Sequence, residues 1–236
     1  MCGGEGRWRN EPARRGFPYV PTRLEHMANI LSHAVALLPS LWGLEWFREF
    51  GCKHGIVYAF ATLLLFTSST TYHSVFFSGR FQKANLFLHI QDRAAIYFFI
   101  AASYSPLLHL LEPRGPLAES MPYLVWLFSF LGTAYQFLFH ERYRRVELIL
   151  YLVIAILPAL PLLHLKEEWV VNRMGYGGLV FLTGVVFFKL DGRVPCAHAI
   201  WHTFVLLGVG IQYYALLNWL GERAKNASAI PPKTEL

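Results

Sequence analysis

Two histidines, His198 and His202, stand four residues apart inside an otherwise apolar stretch. On a helix, residues with this spacing lie one above the other on a single face, so both imidazoles can reach one metal ion. With ten histidines in 236 residues, about 0.4 such pairs arise by chance, so the spacing alone is weak evidence. A third ligand, brought to the same depth by another segment, would strengthen the prediction.

The elements that must position this pair are membrane-spanning helices. Hydrophobic residues make up 55% of the chain and charged residues 15%, whereas soluble domains carry about 25% charged residues. A span needs about 20 mostly apolar residues, and seven stretches are candidates, of which the sixth is short. The sequence therefore predicts an all-α membrane protein with a seven-transmembrane helix bundle. The predicted spans are 28–46, 56–77, 86–111, 123–139, 146–163, 174–188 and 197–220.

The charged residues lie mainly outside these spans and predict the orientation. We expect residues 1–25 to be a flexible basic cytoplasmic arm, residues 26–221 the seven-helix transmembrane domain, and residues 222–236 a short polar C-terminal tail. With the N-terminus cytoplasmic, twelve Lys and Arg lie inside and eight outside, which agrees with the positive-inside rule. The net charge of +6 is thus a feature of membrane topology, and we expect no nucleic-acid partner.

Alternation of the spans brings further polar residues to the depth of the histidine pair. His73 lies near the end of the second span and Asp92 near the start of the third, on the same side as His198 and His202. Ionisable groups inside a membrane are costly and usually pair or mark a functional site. Three imidazoles with an open fourth position are the ligand set of a catalytic zinc.

Two residues are candidates to support such a metal. Asp92 could hold a water molecule or orient a ligand histidine, and Ser69, one turn before His73, could support the same site. The alternative for Asp92 is an ion pair with Arg93 or a charge at the water interface. His89, on the same helical face as Asp92, is the best alternative ligand.

Other kinds of site are disfavoured. Cys2, Cys52 and Cys196 are far apart and odd in number, which argues against a disulfide framework and a Cys-rich zinc site. We expect His33 to be a hydrogen-bonded helix residue and His26 to lie at the membrane interface. No nucleophile elbow and no phosphate-binding glycine loop is present.

Several motifs resemble those of the progestin and adipoQ receptor family, which is related to the haemolysin III proteins. They are Ser69-Thr-Thr-Tyr-His73, Asp92-Arg93 followed by Tyr97-Phe-Phe-Ile-Ala-Ala-Ser-Tyr104, and His198-Ala-Ile-Trp-His202. Together with His140-Glu-Arg-Tyr143 and Phe187-Phe-Lys-Leu-Asp-Gly192, they look like the monocyte to macrophage differentiation factor branch of that family. The resemblance covers nearly all of residues 22–220.

The resemblance implies a fold, a metal and an activity. It implies seven helices with a cytoplasmic N-terminus, and zinc bound by the three histidines at 73, 198 and 202. The family's aspartate near the zinc-bound water matches Asp92, and its serine four residues before the first ligand matches Ser69. In the adiponectin receptors such a site is linked to ceramide hydrolysis. One departure concerns the receptors' Glu-x-x-Asn pattern, which is here His26-Met-Ala-Asn29, with Glu25 one position off.

Two functions follow from the resemblance, and the sequence leaves both open. The first is an endomembrane receptor-like protein of the Golgi or of the late endosome and lysosome, which acts in signalling regulation with membrane signalling proteins as partners. The alternative is a zinc-dependent, ceramidase-like lipid amide hydrolase in which zinc-bound water attacks the carbonyl of membrane lipids such as ceramide, releasing a fatty acid. Lys233-Thr-Glu-Leu236 also resembles a lumenal retrieval signal, which would imply ER retrieval.

Overall fold

Eight α-helices and one 3₁₀ helix form the regular structure of the chain in a computed structural model, which describes residues 10–12, 19–165 and 169–228. No strand occurs in those three ranges. The retrieval-like tail at 233–236 lies outside the described residues. The helices are α1 Arg23–Ala34, α2 Leu37–Glu49, α3 Lys53–Ser78, α4 Gln82–Leu110, α5 Pro116–Phe139, α6 Arg144–Ile156, the 3₁₀ helix Leu157–His164, α7 Trp169–Lys189 and α8 Ala197–Ser228.

The predicted spans correspond to these helices with three differences. The first span consists of two helices, α1 and α2. Its one proline, Pro39, predicts an interruption at that residue, whereas the break falls at Val35 and Ala36. Pro39 is tolerated in the first turn of α2, where a backbone N–H has no partner within the helix. The fifth span ends as a 3₁₀ helix because Pro158 and Pro161 cannot donate the backbone hydrogen bonds of an α-helix. The fourth, sixth and seventh are longer than predicted, with helices at 116–139, 169–189 and 197–228.

Six helical segments in the described part of the chain are long and apolar enough to cross a membrane. They are Arg23–Glu49, Lys53–Ser78, Pro116–Phe139, Arg144–Leu163, Trp169–Lys189 and Ala197–Asn226. The remaining long helix, α4, has 29 residues, about 44 Å at 1.5 Å per residue. Its first half carries Lys83, Asp92 and Arg93, which makes it more polar than the others. The chain is therefore a multi-pass membrane protein.

Helix packing brings distant parts of the chain together. α3 packs against α1, α2 and α4, and α8 packs against α7 and α1 and also touches α3. Large side chains such as Tyr58, Phe66 and Met121 are fully buried in the core. Apolar side chains such as Leu38 and Leu138 are exposed on the outside, as expected of surfaces that face lipid. The end of α3 and the start of α8 consequently meet beside α1.

Residues preceding α1 lie against the connection between α7 and α8. Asn10 Nδ2 donates a hydrogen bond of 3.1 Å to Asp191 Oδ1. The backbone of Pro12 passes so close to Gly192 that a Cβ there would lie 2.4 Å from Pro12 Cα. Gly192 also has φ +74°, a conformation that favours glycine. Burial raises the pKa of Asp191. The connection is thus shaped to receive the N-terminal segment.

Candidate metal centre

The three predicted histidine ligands come together in the structure. His73 lies near the end of α3, and His198 and His202 lie in the first two turns of α8. One ring nitrogen of each can be chosen so that all three lie within 4.8 Å of one another. The side chains are buried, with exposed fractions of 0%, 7% and 2%. Helices separated by more than a hundred residues therefore share one cluster of imidazoles.

Four of the six ring nitrogens of this cluster have no hydrogen-bond partner among the described residues. Neither nitrogen of His73 has a hydrogen-bond partner, and nor does Nδ1 of His198 or of His202, among the residues described. Buried polar atoms are almost always paired, so unpaired nitrogens need an explanation. A metal ion would satisfy them, since imidazole is a common ligand of divalent transition metals. These residues could hold a metal ion.

Helix α1 forms a third wall of the cluster. The His33 ring stacks on His202, with ring centroids 3.9 Å apart and planes at 19°. His33 is not one of the mutually close ligands, so it packs against a ligand and does not join the group. His26 meets His73 edge to face at 6.0 Å. Both histidines therefore lie beside the cluster. Neither ring nitrogen of His33 has a hydrogen-bond partner among the described residues, so the prediction of a hydrogen-bonded His33 is wrong.

Two further α1 residues complete this wall. Glu25 and Asn29 are 1% and 0% exposed, and with His33 they form an i, i+4, i+8 series on one face. The Glu25 carboxylate lies near the backbone amide of His198, at the positive N-terminal end of α8. The spacing of this polar series within an apolar span was the signal that could have identified it. Glu25 therefore faces the site, although it stands one position away from the glutamate of the receptors' Glu-x-x-Asn pattern.

Asp92 and Ser69 lie opposite each other on α4 and α3. The Ser69 side chain is buried and faces the Asp92 carboxylate, although its hydroxyl makes no hydrogen bond to any described residue. Asp92 is half-buried and is not among the mutually close ligand atoms. Arg93 does not form an ion pair with Asp92 but binds Glu141 at 2.5 Å and Glu147 at 2.6 Å. The roles of Asp92 and Ser69 stay predictions.

The alternative ligand, His89, belongs to another cluster. Its ring stacks on Tyr72 with centroids 4.7 Å apart, and its Nδ1 lies 2.9 Å from Nε2 of His140. It is therefore held away from the three clustered histidines, with Tyr72 between.

The cluster is covered by Tyr19, and a cavity adjoins it. The Tyr19 ring stacks on His198 at 4.2 Å, and its hydroxyl accepts a 2.9 Å hydrogen bond from Asn29 Nδ2. Burial raises the pKa of Tyr19, so its phenol stays protonated. A partly open cavity of about 280 Å³ reaches His198 and is lined by charged and aromatic side chains, among them Arg93, Glu141, Glu147, Lys189 and Asp191.

Comparisons with a family model and with individual proteins point to one family. The family model described as haemolysin-III related matches residues 22–213. The chain is 39% identical over 220 residues to the monocyte to macrophage differentiation factor of Homo sapiens and, equally, of Rattus norvegicus, covering 91% of this chain and 92% of each relative. It is 28% identical over 208 residues to hemolysin-3 of Bacillus cereus, covering 82% of this chain and 90% of that protein.

Proposed function

The chain belongs to the haemolysin III-related family, which includes the progestin and adipoQ receptors, and we propose that it is a receptor-like membrane protein with an intramembrane zinc site. The zinc ligands are His73, His198 and His202. The observation that carries the proposal is the convergence of their unpaired ring nitrogens from two helices. Zinc suits such a site because it accepts three imidazole ligands readily in a tetrahedral arrangement.

The proposed topology has seven spans, with α1 and α2 together forming the first and α4 the third. The N-terminus is cytoplasmic and the C-terminus lumenal, which the distribution of Lys and Arg supports. The zinc site then lies in the cytoplasmic half of the bilayer, where α3 ends and α8 begins. We place the protein in an endomembrane, the Golgi or the late endosome and lysosome, because of its resemblance to the macrophage differentiation factors.

The proposed role of zinc is to hold α3 and α8 in one arrangement. Helix α1 also belongs to the surroundings of the zinc, because its His33 ring packs on His202. A lipid that shifts α1 would change the contacts on both ligand-bearing helices, and membrane signalling proteins would respond to that change.

Metal analysis of the purified protein tests the proposal. We expect about one zinc per chain at this site, removed by His202→Gln and unaffected by His109→Gln. His109 is the matched control because it lies in the last turn of α4 and is not one of the clustered ligands. A zinc content that does not fall in His202→Gln, or a wild-type protein without zinc, would refute the zinc site.

A second candidate function is zinc-dependent hydrolysis of a lipid amide such as ceramide. Two observations favour it. Among the described residues, the mutually close group contains three ligands and no fourth. A cavity also adjoins His198. Catalytic zinc sites keep such an open position, whereas structural sites are closed. Zinc, when bound, would polarise the scissile carbonyl and acidify water.

The chain's own residues have distinct roles in this second function. Asp92 would accept a proton from the attacking water and return it to the leaving amine, and Ser69 would orient the Asp92 carboxylate. Asp92→Asn should abolish ceramide turnover while zinc stays bound, because Asp92 is not one of the ligands. If neither the wild-type protein nor the variant turns over ceramide although both contain zinc, the receptor-like function stands and the hydrolase is excluded.

A further inference from the structure

A second cluster of metal-ligating groups lies outside the three-histidine centre. One nitrogen each of His89 and His140 and one carboxylate oxygen of Glu141 lie within 4.8 Å of one another. His89 and Glu141 are 4% and 3% exposed, and His140 is half-buried. Three converging ligands of these types, two imidazoles and one carboxylate, are a set that transition metals bind. Nothing in the proposed zinc site uses them.

The protonation of the two imidazoles follows from a chain of hydrogen bonds. Tyr151 Oη donates to the backbone carbonyl of Arg93 at 2.9 Å, so it accepts from Gln136 Nε2 at 3.4 Å. The amide oxygen of Gln136 is then turned toward His140 Nδ1, 3.3 Å away, and accepts its proton. Nε2 of neutral His140 therefore presents a lone pair to His89 Nδ1 at 2.9 Å.

The spacing of the two nitrogens fits coordination to one ion. With metal–nitrogen bonds of about 2.1 Å, ligands at 90° are about 3.0 Å apart and ligands at the tetrahedral angle about 3.4 Å. The observed 2.9 Å is the length of the hydrogen bond between the two rings, and it is also close to the separation expected at 90° in a six-coordinate ion, so the two nitrogens need to move little to bind one. To bind the ion through Nδ1, His89 would carry its proton on Nε2 instead. Metal binding would therefore release no proton from this ring.

The carboxylate is held in place by its neighbours and by the backbone. Glu141 has φ +59°, a left-handed conformation that side chains adopt rarely. Its two oxygens bind Arg93 and Arg144. An ionised carboxylate has about four acceptor sites, so these ion pairs leave room for a metal bond. Metal-ligating carboxylates are commonly oriented by such partners.

From these observations we propose that His89, His140 and Glu141 form a second metal site, for a divalent first-row transition ion in six-coordinate geometry. The remaining positions would be filled by water from the adjoining cavity, which Glu141 lines. Gln136 orients His140 through its Nδ1 and acts as the outer support of the site. This proposal does not depend on zinc at the three-histidine centre.

Counting bound Co²⁺ tests the second site. Full-length protein in detergent is stripped with a chelator and dialysed against Co²⁺. We expect two equivalents in the wild type, one in His140→Gln, one in His198→Gln and none in the double variant. His109→Gln, a histidine of α4 outside both clusters, should retain two. The proposal is overturned if His140→Gln binds as much Co²⁺ as the wild type. Unchanged binding in His198→Gln would instead count against the three-histidine centre alone.

A second measurement covers the case in which His140→Gln does not fold. Ligands that bind only the folded state raise the melting midpoint. In His198→Gln, which lacks a ligand of the first centre, Co²⁺ should still raise the midpoint, and Glu141→Gln added to that background should abolish the shift. No shift in His198→Gln, or a shift unaffected by Glu141→Gln, would contradict the second site.

Discussion

Arg93 forms two ion pairs with glutamates that are almost fully buried, so its removal has a predictable effect on stability. It connects α4 to the start of α6 by binding Glu147 at 2.6 Å, and it binds Glu141 at 2.5 Å. The side chains of the two glutamates are 5% and 2% exposed. In Arg93→Met, Glu141 keeps Arg144 as a partner, while Glu147 loses the one ion pair that the described residues provide.

The magnitude follows from the cost of an unpaired buried charge. Breaking a buried ion pair by removing one partner typically destabilises a protein by about 3–5 kcal/mol. We therefore expect Arg93→Met to lower the melting midpoint of the detergent-purified protein clearly. The matched control is Arg48→Met, since Arg48 pairs with Glu45 within one helix but both side chains are more than half exposed. That control should leave the midpoint unchanged.

A rescue distinguishes lost charge pairing from lost packing. Adding Glu147→Gln to Arg93→Met removes the unpaired carboxylate, and a neutral amide is less costly to bury than a charge. The double variant should therefore melt above Arg93→Met alone. The reasoning would be refuted if Arg93→Met melted like Arg48→Met, or if the double variant melted below the single one.

Three further predictions concern the cover, the packing and the pH response of the protein. Tyr19→Ala removes the ring that stacks on His198, so a chelator should strip zinc several-fold faster, and equal stripping rates would contradict this covering role. Gly132→Val should lower the melting midpoint, because a Cβ at this position would lie 2.3 Å from the Tyr97 ring. Such overpacking typically costs about 1–3 kcal/mol. The control is Gly210→Ala, which has open space around it and should leave the midpoint unchanged. Burial raises the pKa of Asp191, so the folded state binds more protons there than the unfolded state and stability falls as pH rises from about 4 through that raised pKa. Asp191→Asn should therefore raise the midpoint at pH 7 but not at pH 4, and a lowered midpoint at pH 7 would contradict the sign.

The sequence predicted the helices and the main cluster because both depend on simple rules. Long apolar stretches indicate spans, and alternation of spans places the end of α3 beside the starts of α4 and α8. The histidines at 73, 198 and 202 could be brought together on that basis alone. The interruption of the first span was predicted at Pro39 and not at Val35 and Ala36, because neither of these two residues is a glycine or a proline.

The rest of the site depends on packing that spacing does not reveal. The burial of Glu25 and Asn29 requires the orientation of α1 against α3 and α8, although their i, i+4, i+8 series with His33 was readable. The partnership of His89 with His140 joins residues 51 positions apart, and it depends on the left-handed backbone of Glu141. No local pattern indicates such a contact.

X-ray absorption at the zinc edge tests the central claim most directly, because it reports the ligand atoms of the bound ion. For the purified protein, we predict three imidazole nitrogens at about 2.0–2.1 Å and one lighter oxygen ligand. In His202→Gln the signal of this site should disappear. A sulfur ligand at about 2.3 Å, which would point to a cysteine such as Cys196, or a spectrum unchanged in His202→Gln, would contradict zinc binding by His73, His198 and His202.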